Sequence, residues 1–201
     1  MTITNHETEV GRPGRPTEGL AQESAKESAT VKVWDIAVRI FHWSLVISFV
    51  IAWITADEWD KVHEIAGYVI GGLLILRVIW GFVGSKHARF SDFIYKPTTV
   101  LAYLRDSLTR KAKRYIGHNP AGGAMAIALL VTLTAAIVSG IASTTNMFWG
   151  VEWMEELHEL TANATLVLVF LHIVGVIYAS YEHKENLVKS MITGFKRRLS
   201  S

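Results

Sequence analysis

Cysteine is absent from the 201 residues, which excludes disulfides, thiolate metal sites, iron–sulfur clusters and the C-x-x-C-H attachment of a covalently bound haem. No apolar run occurs before Val31. The residues ahead of it are polar, mixed in charge and broken by Gly and Pro, so a cleaved secretory signal peptide is not expected and segment 1–32 reads as a disordered tail. An internal inverted repeat and helices broken around a midplane site are also lacking, which argues against substrate transport. In "RIFHWSLVISFVIAWI", residues 39–54, no titratable group follows His42 before Asp57. An imidazole left unsatisfied in hydrocarbon costs several kcal/mol, roughly. His42 therefore needs a partner.

What the chain has in abundance is apolar surface. Half of its residues are apolar and seven are tryptophan, which indicates a membrane protein. Four segments approach the ~20 apolar residues that cross a bilayer: about 36–56, 65–84, 122–145 and 160–181. The fold class expected is all-α, an integral membrane four-helix bundle occupying residues 33–181. The third span, "GGAMAIALLVTLTAAIVSGIASTT", carries neither charge nor histidine, and its small residues suit a packing helix.

Charge in the connections orients the spans. Asp57, Glu58, Asp60 and Glu64 follow span one against Lys61, and Glu152, Glu155, Glu156 and Glu159 follow span three with no basic residue. The connection 85–121 instead holds Lys86, Arg89, Lys96, Arg105, Arg110, Lys111, Lys113 and Arg114 against Asp92 and Asp106, and the 182–201 tail ends "GFKRRLSS". The positive-inside rule makes that loop and both termini cytoplasmic. Within the loop, Val100, Leu101, Leu104 and Leu108 recur at helical spacing. Two readings stand for that helix: lying on the inner membrane surface, or packed on the bundle.

Histidines fall at two depths. His63 opens span two and His158 span four, both at the outer level; His42 and His172 lie towards the inner one. His172 follows His158 by fourteen residues, which is roughly 21 Å along a helix and within about 40° of the same face. Each level thus offers two imidazoles from helices that can face one another, the arrangement for axial ligation of a haem iron. Separate pairs without clustered carboxylates do not suit zinc. His6, His87, His118 and His183 read as solvated or structural. Gly67 and Gly71 in span two and Gly175 near His172 are places where a macrocycle or another helix can approach the backbone. Arg39 and Arg77, at the inner level, are candidates to hold anionic propionates or to anchor the spans at the interface.

With these features on view, "VWDIAVRIFHW", "VHEIAGYVIGGLLILRVIWGFVG", "SKHARFSDF", "YIGHNPAGGAM" and "ELHELTANATLVLVFLHIVGV" resemble the bacterial cytochrome b561 and nickel-hydrogenase cytochrome b family over residues 33–181. The resemblance implies two b-type haems, the inner on His42 and His172 and the outer on His63 and His158, with "GHNP" a structural signature. It further implies electron exchange between quinone and a redox partner, a c-type cytochrome or a hydrogenase-like subunit. The leading expectation is therefore a dihaem membrane electron carrier. Two others were weighed: a self-sufficient quinone oxidoreductase acting on a small outer substrate such as superoxide, and a haem-free anchor for a peripheral enzyme. Membrane lipid is an expected partner and nucleic acid is not; a homodimer is left open.

Overall fold

The computed structural model describes residues 30–198, so the expectations for the tail ahead of Thr30, including His6, lie outside the described residues. Four long helices dominate: α1 (Ile36–Ile54), α2 (Asp60–Val83), α5 (Pro120–Ser143) and α6 (Glu152–Glu182). All four are long and apolar enough to cross a membrane. Between α2 and α5 run a single 3₁₀ turn (Lys86–Ala88), the one-turn α3 (Phe90–Phe93) and α4 (Pro97–Leu108); α7 (Leu187–Thr193) follows α6.

Each start has a local cause. Asp35 caps α1 by accepting from Val38 N–H at 2.8 Å, and Asn119 caps α5 by accepting from Gly122 N–H at 2.7 Å, with Pro120 ideally placed at the first helical position. The helices α2 and α6 begin earlier than the apolar windows, at Asp60 and Glu152. Acidic residues favour the positive end of a helix, so both helices continue into the polar zone beyond the hydrocarbon.

The strands β1 (Thr30–Lys32) and β2 (Phe195–Arg197) pair antiparallel, with Val31 opposite Lys196. Three-residue strands are too short to display a period, so neither is legible in the sequence, where Thr30–Lys32 reads as the end of the polar tail. They bring both ends of the described chain to one end of the bundle, where Val33 and Trp34 N–H donate to Gly194 O. Gly194 has φ +88°, a left-handed conformation that favours glycine and ends α7. Beneath this clasp lies a small core of Val33, Trp34, Val38 and Ala88.

A second core, Ile70, Leu74 and Leu133 with Leu45, Phe49 and Ile137 against it, joins α1, α2 and α5. Helix α6 runs along α5 and makes few close approaches to α1 or α2. Most of its apolar residues face outward, as a lipid-exposed helix requires.

Helix α4 packs on the bundle through one face. Tyr103 is buried with its hydroxyl 3.5 Å from His183 Nε2, Ser107 Oγ donates to Glu182 at 2.8 Å, and Tyr178 OH donates to Ser107 O at 2.6 Å. Burial, reinforced by Glu182 and Tyr115, pushes the Tyr103 phenol up to about 12. Leu101, Leu104 and Leu108 remain exposed on the other side, so features of both readings of this helix are present.

Candidate functional site

The histidines that share a depth also share a place. The ring centres of His63 and His158 are 6.0 Å apart, nearly perpendicular, and those of His42 and His172 are 6.5 Å apart. Two imidazoles bound to opposite sides of one metal through bonds of about 2.0–2.1 Å hold their ring centres roughly 6 Å apart. Both pairs fit that span. Among the described residues no three His, Cys, Asp or Glu cluster, so each site has two protein ligands to offer rather than a tetrahedral set.

Backbone carbonyls orient the outer pair. His63 Nδ1 lies 2.8 Å from Ala52 O, and His158 Nδ1 lies 2.8 Å from Ala136 O. Ala52 is in the last turn of α1, where its carbonyl otherwise accepts a long bond, 3.4 Å, from Thr55 Oγ1, so the contact serves both groups. An Nδ1–H donated to a carbonyl leaves the Nε2 lone pair for a metal and raises its basicity. Ser139 Oγ, 3.5 Å from His158 Nδ1, completes this surround.

At the inner pair the surroundings differ. His42 stands edge-on to Trp43, ring centres 5.2 Å apart, and its Nδ1 is buried without a hydrogen-bond partner. Arg39, one turn earlier, donates from Nη2 to Ile192 O, while its Nε is buried and unpartnered. Arg77 is 6% exposed, with its guanidinium 5.3 Å from the Phe90 ring centre and 5.6 Å from that of Phe93. Its Nη1 has no partner, and it is not placed as an interface anchor reaching for water.

The glycines divide. Gly67 and Gly71 face Ile137 of α5, whose Cγ2 would lie 3.2 Å from a Cβ at position 71, so they serve the α2–α5 packing. Around Gly175 no atom lies within 4 Å of where a Cβ would sit. The glycine that meets a site histidine is Gly140, where a Cβ would stand 2.8 Å from His158 Cε1. Sequence reading missed it, together with Ala52 and Ala136. The one available signal for Gly140 was its place among small residues in span three.

His87 pairs with Asp92 at 2.9 Å, and His183 lies 4.0 Å from Glu182. His118 sits between Trp34 and Phe93, ring centres 4.8 and 4.7 Å away, with Nδ1 buried and unpartnered.

A model of the prokaryotic cytochrome b561 family matches residues 33–194. The chain is 24% identical to a probable Ni/Fe-hydrogenase B-type cytochrome subunit of Azotobacter vinelandii, covering 89% of this chain and 93% of that one. A protein of the same description from Rhizobium leguminosarum bv. viciae is 25% identical over 86% of this chain and 91% of its own. The Escherichia coli (strain K12) protein described as a probable Ni/Fe-hydrogenase 1 B-type cytochrome subunit is 23% identical over 60% of this chain and 63% of its own. No solved structure matches the chain. With four membrane-spanning helices and a family match across all of them, the chain belongs to the prokaryotic cytochrome b561 family.

Proposed function

We propose that the chain holds two b-type haems, one between His42 and His172 and one between His63 and His158, and carries electrons through the membrane between quinone and a hydrogenase-type partner. The observation that carries this reading is the pair of facing imidazole couples, 6.5 and 6.0 Å between ring centres, at two levels of one bundle. The family match and the description of the relatives as hydrogenase cytochrome subunits support the electron-transfer role and the choice of partner.

When bound, a haem supplies one-electron storage through the valence change of its iron. The protein does the rest. Two histidines per site would hold the iron, His63 and His158 with their tautomers set by Ala52 and Ala136. Arg39 and Arg77, with buried unpartnered N–H groups, would neutralise propionates at the level of His42 and His172. Apolar helix faces keep water from the inner site.

The positive-inside rule places the basic loop and both termini in the cytoplasm, and hence the His63–His158 level outside. The outer turns, with Asp57, Glu58, Asp60, Glu152, Glu155 and Glu156, then present a negative surface to a partner with a basic docking face.

The test is a dithionite-reduced minus air-oxidised spectrum with a pyridine haemochrome count on the purified chain. Two b-type haems per chain are expected. Helical, haem-free protein from haem-replete cells would overturn the reading.

A further inference from the structure

Four side-chain nitrogens among the described residues are buried without a hydrogen-bond partner: Arg39 Nε, His42 Nδ1, Arg77 Nη1 and His118 Nδ1. All belong to the end of the bundle where the two ends of the described chain meet. Arg39 bonds Ile192 O just ahead of β2, and His42 lies one turn further along α1. Arg77 and His118 flank the same fully buried ring, that of Phe93, and Trp34 covers the other side of His118.

The carboxylates of this region are turned to other groups, Glu182 accepting from Ser107 Oγ and lying 4.0 Å from His183 Nε2 while its Oε1 is unpartnered. Asp35 accepts from Val38 N–H, Trp80 Nε1 and Ser85 Oγ; Asp92 pairs with His87; Glu185 holds Arg114 and Lys196. None among the described residues comes within ion-pair distance of Arg77. A buried guanidinium with no carboxylate in ion-pair contact, only the more distant charge of Asp35, beside an imidazole nitrogen without a partner, calls for an anion with more than one acceptor oxygen. A carboxylate has that chemistry.

Resting on the two-haem reading above, we propose that His118 Nδ1 donates a hydrogen bond to a propionate carboxylate of the inner haem, the same carboxylate whose charge Arg77 neutralises. His118 is thereby a haem-binding residue rather than a packing residue of the loop before α5. Burial pushes its imidazole down to about 3, with the positive charges of Arg77 and Lys196 acting in the same direction, so the ring is neutral near pH 7. A neutral imidazole retains one N–H to give.

The experiment compares full-length protein with its His118→Phe variant, which keeps an aromatic ring between Trp34 and Phe93 and removes the donor. Haem-depleted protein of each kind is titrated with iron protoporphyrin IX and with its dimethyl ester, in which both carboxylates are blocked. The outer haem serves as the internal control for folding. Expected is inner-site affinity for the free acid about tenfold lower in the variant, the scale of one charge-assisted hydrogen bond. Affinity for the ester should be equal in the two proteins.

Equal weakening towards acid and ester would show a packing role and overturn the proposal, as would no weakening towards either. An anion other than a propionate at His118, such as a lipid phosphate, would likewise leave acid and ester behaving alike and would overturn the proposal. The variant His118→Asn keeps an N–H donor and should preserve the preference for the acid; its loss there overturns the hydrogen bond even if the phenylalanine variant misfolds. Failure of the two-haem reading is separately visible, because the unaltered chain would then take up no haem at the inner level with either porphyrin.

Discussion

His158 and Gly140 are made for one another: the imidazole reaches the Ala136 carbonyl, 2.8 Å from its Nδ1, by lying over the one position on that turn of α5 that has no side chain. A Cβ at position 140 would stand 2.8 Å from the ring, closer than real Cβ atoms come.

Gly140→Ala should therefore cost the haem proposed between His63 and His158. Alanine raises helix propensity by ~1 kcal/mol relative to glycine, so α5 itself should not suffer. The displaced ring loses its carbonyl acceptor and its aim. Reduced minus oxidised spectra should show the outer component reduced to less than about half occupancy, given the 10–100-fold sensitivity of metal sites to such supporting contacts, with the inner one kept. An unchanged spectrum would refute the positioning role.

Removing ligands one level at a time should remove haems one at a time. His63→Ala and His42→Ala are each expected to lower the haemochrome count from two to one per chain, with different spectral components lost. A folded, membrane-inserted variant that keeps both components would refute the ligand assignment.

If the chain holds the two proposed haems, they should differ in potential, with the one at His42 and His172 higher. Arg39 lies one turn from His42 and Arg77 lies on α2 well beyond His63, while Asp60, Glu64, Glu152 and Glu155 lie near the starts of α2 and α6 that carry His63 and His158, and positive charge favours the reduced iron. The outer ligands are also the more basic, through their bonds to Ala52 and Ala136. On the two-haem reading, that order makes electron transfer from the His63–His158 level to the His42–His172 level downhill. Redox titration should resolve two components, and Arg77→Gln should lower the inner one by roughly 50–100 mV, from the Coulomb energy of one charge in a partly buried site. A shift of the outer component alone would refute this account.

Glu185 is the hub of the terminal clasp. It accepts from Arg114 at 2.7 Å and from Arg197 N–H at 2.9 Å, with Lys196 Nζ 3.7 Å away. Burial alone would raise its carboxyl, but these bonds and charges outweigh it and hold the group below the ordinary carboxylate value of 4.5. A depressed folded value means stability that is present above the unfolded value and lost as pH falls through the folded one. Thermal unfolding should therefore drop on acidification below ~4.5 in the native chain, and less steeply in Glu185→Gln. That variant should be less stable at pH 7 by about 3 kcal/mol, because Arg114 and Lys196 stay buried. Equal pH slopes in both would refute the role.

Four apolar runs of about twenty residues left little choice of architecture, because only closed backbone hydrogen bonding survives in hydrocarbon. Depth along those runs was equally legible: a 1.5 Å rise per residue converts the positions of His42, His63, His158 and His172 into two levels, and the structure brings the same pairs together. The earlier starts of α2 and α6 were hidden, since a helix continues past the apolar segment wherever acidic residues suit its first turn.

What the sequence by itself determined was thus the number of spans, their apolar character and the levels of the histidines, all consequences of local chemistry and helical rise. Tertiary structure alone decided which carbonyls orient His63 and His158, that Gly140 and not Gly67 or Gly71 makes room for a site ring, and that β1 finds β2 across the length of the chain. It also decided that His118 closes on Phe93 beside Arg77. Backbone carbonyls carry no letter in a sequence, and contacts between residues far apart in the chain depend on how helices pack, which periodicity within any one helix does not specify.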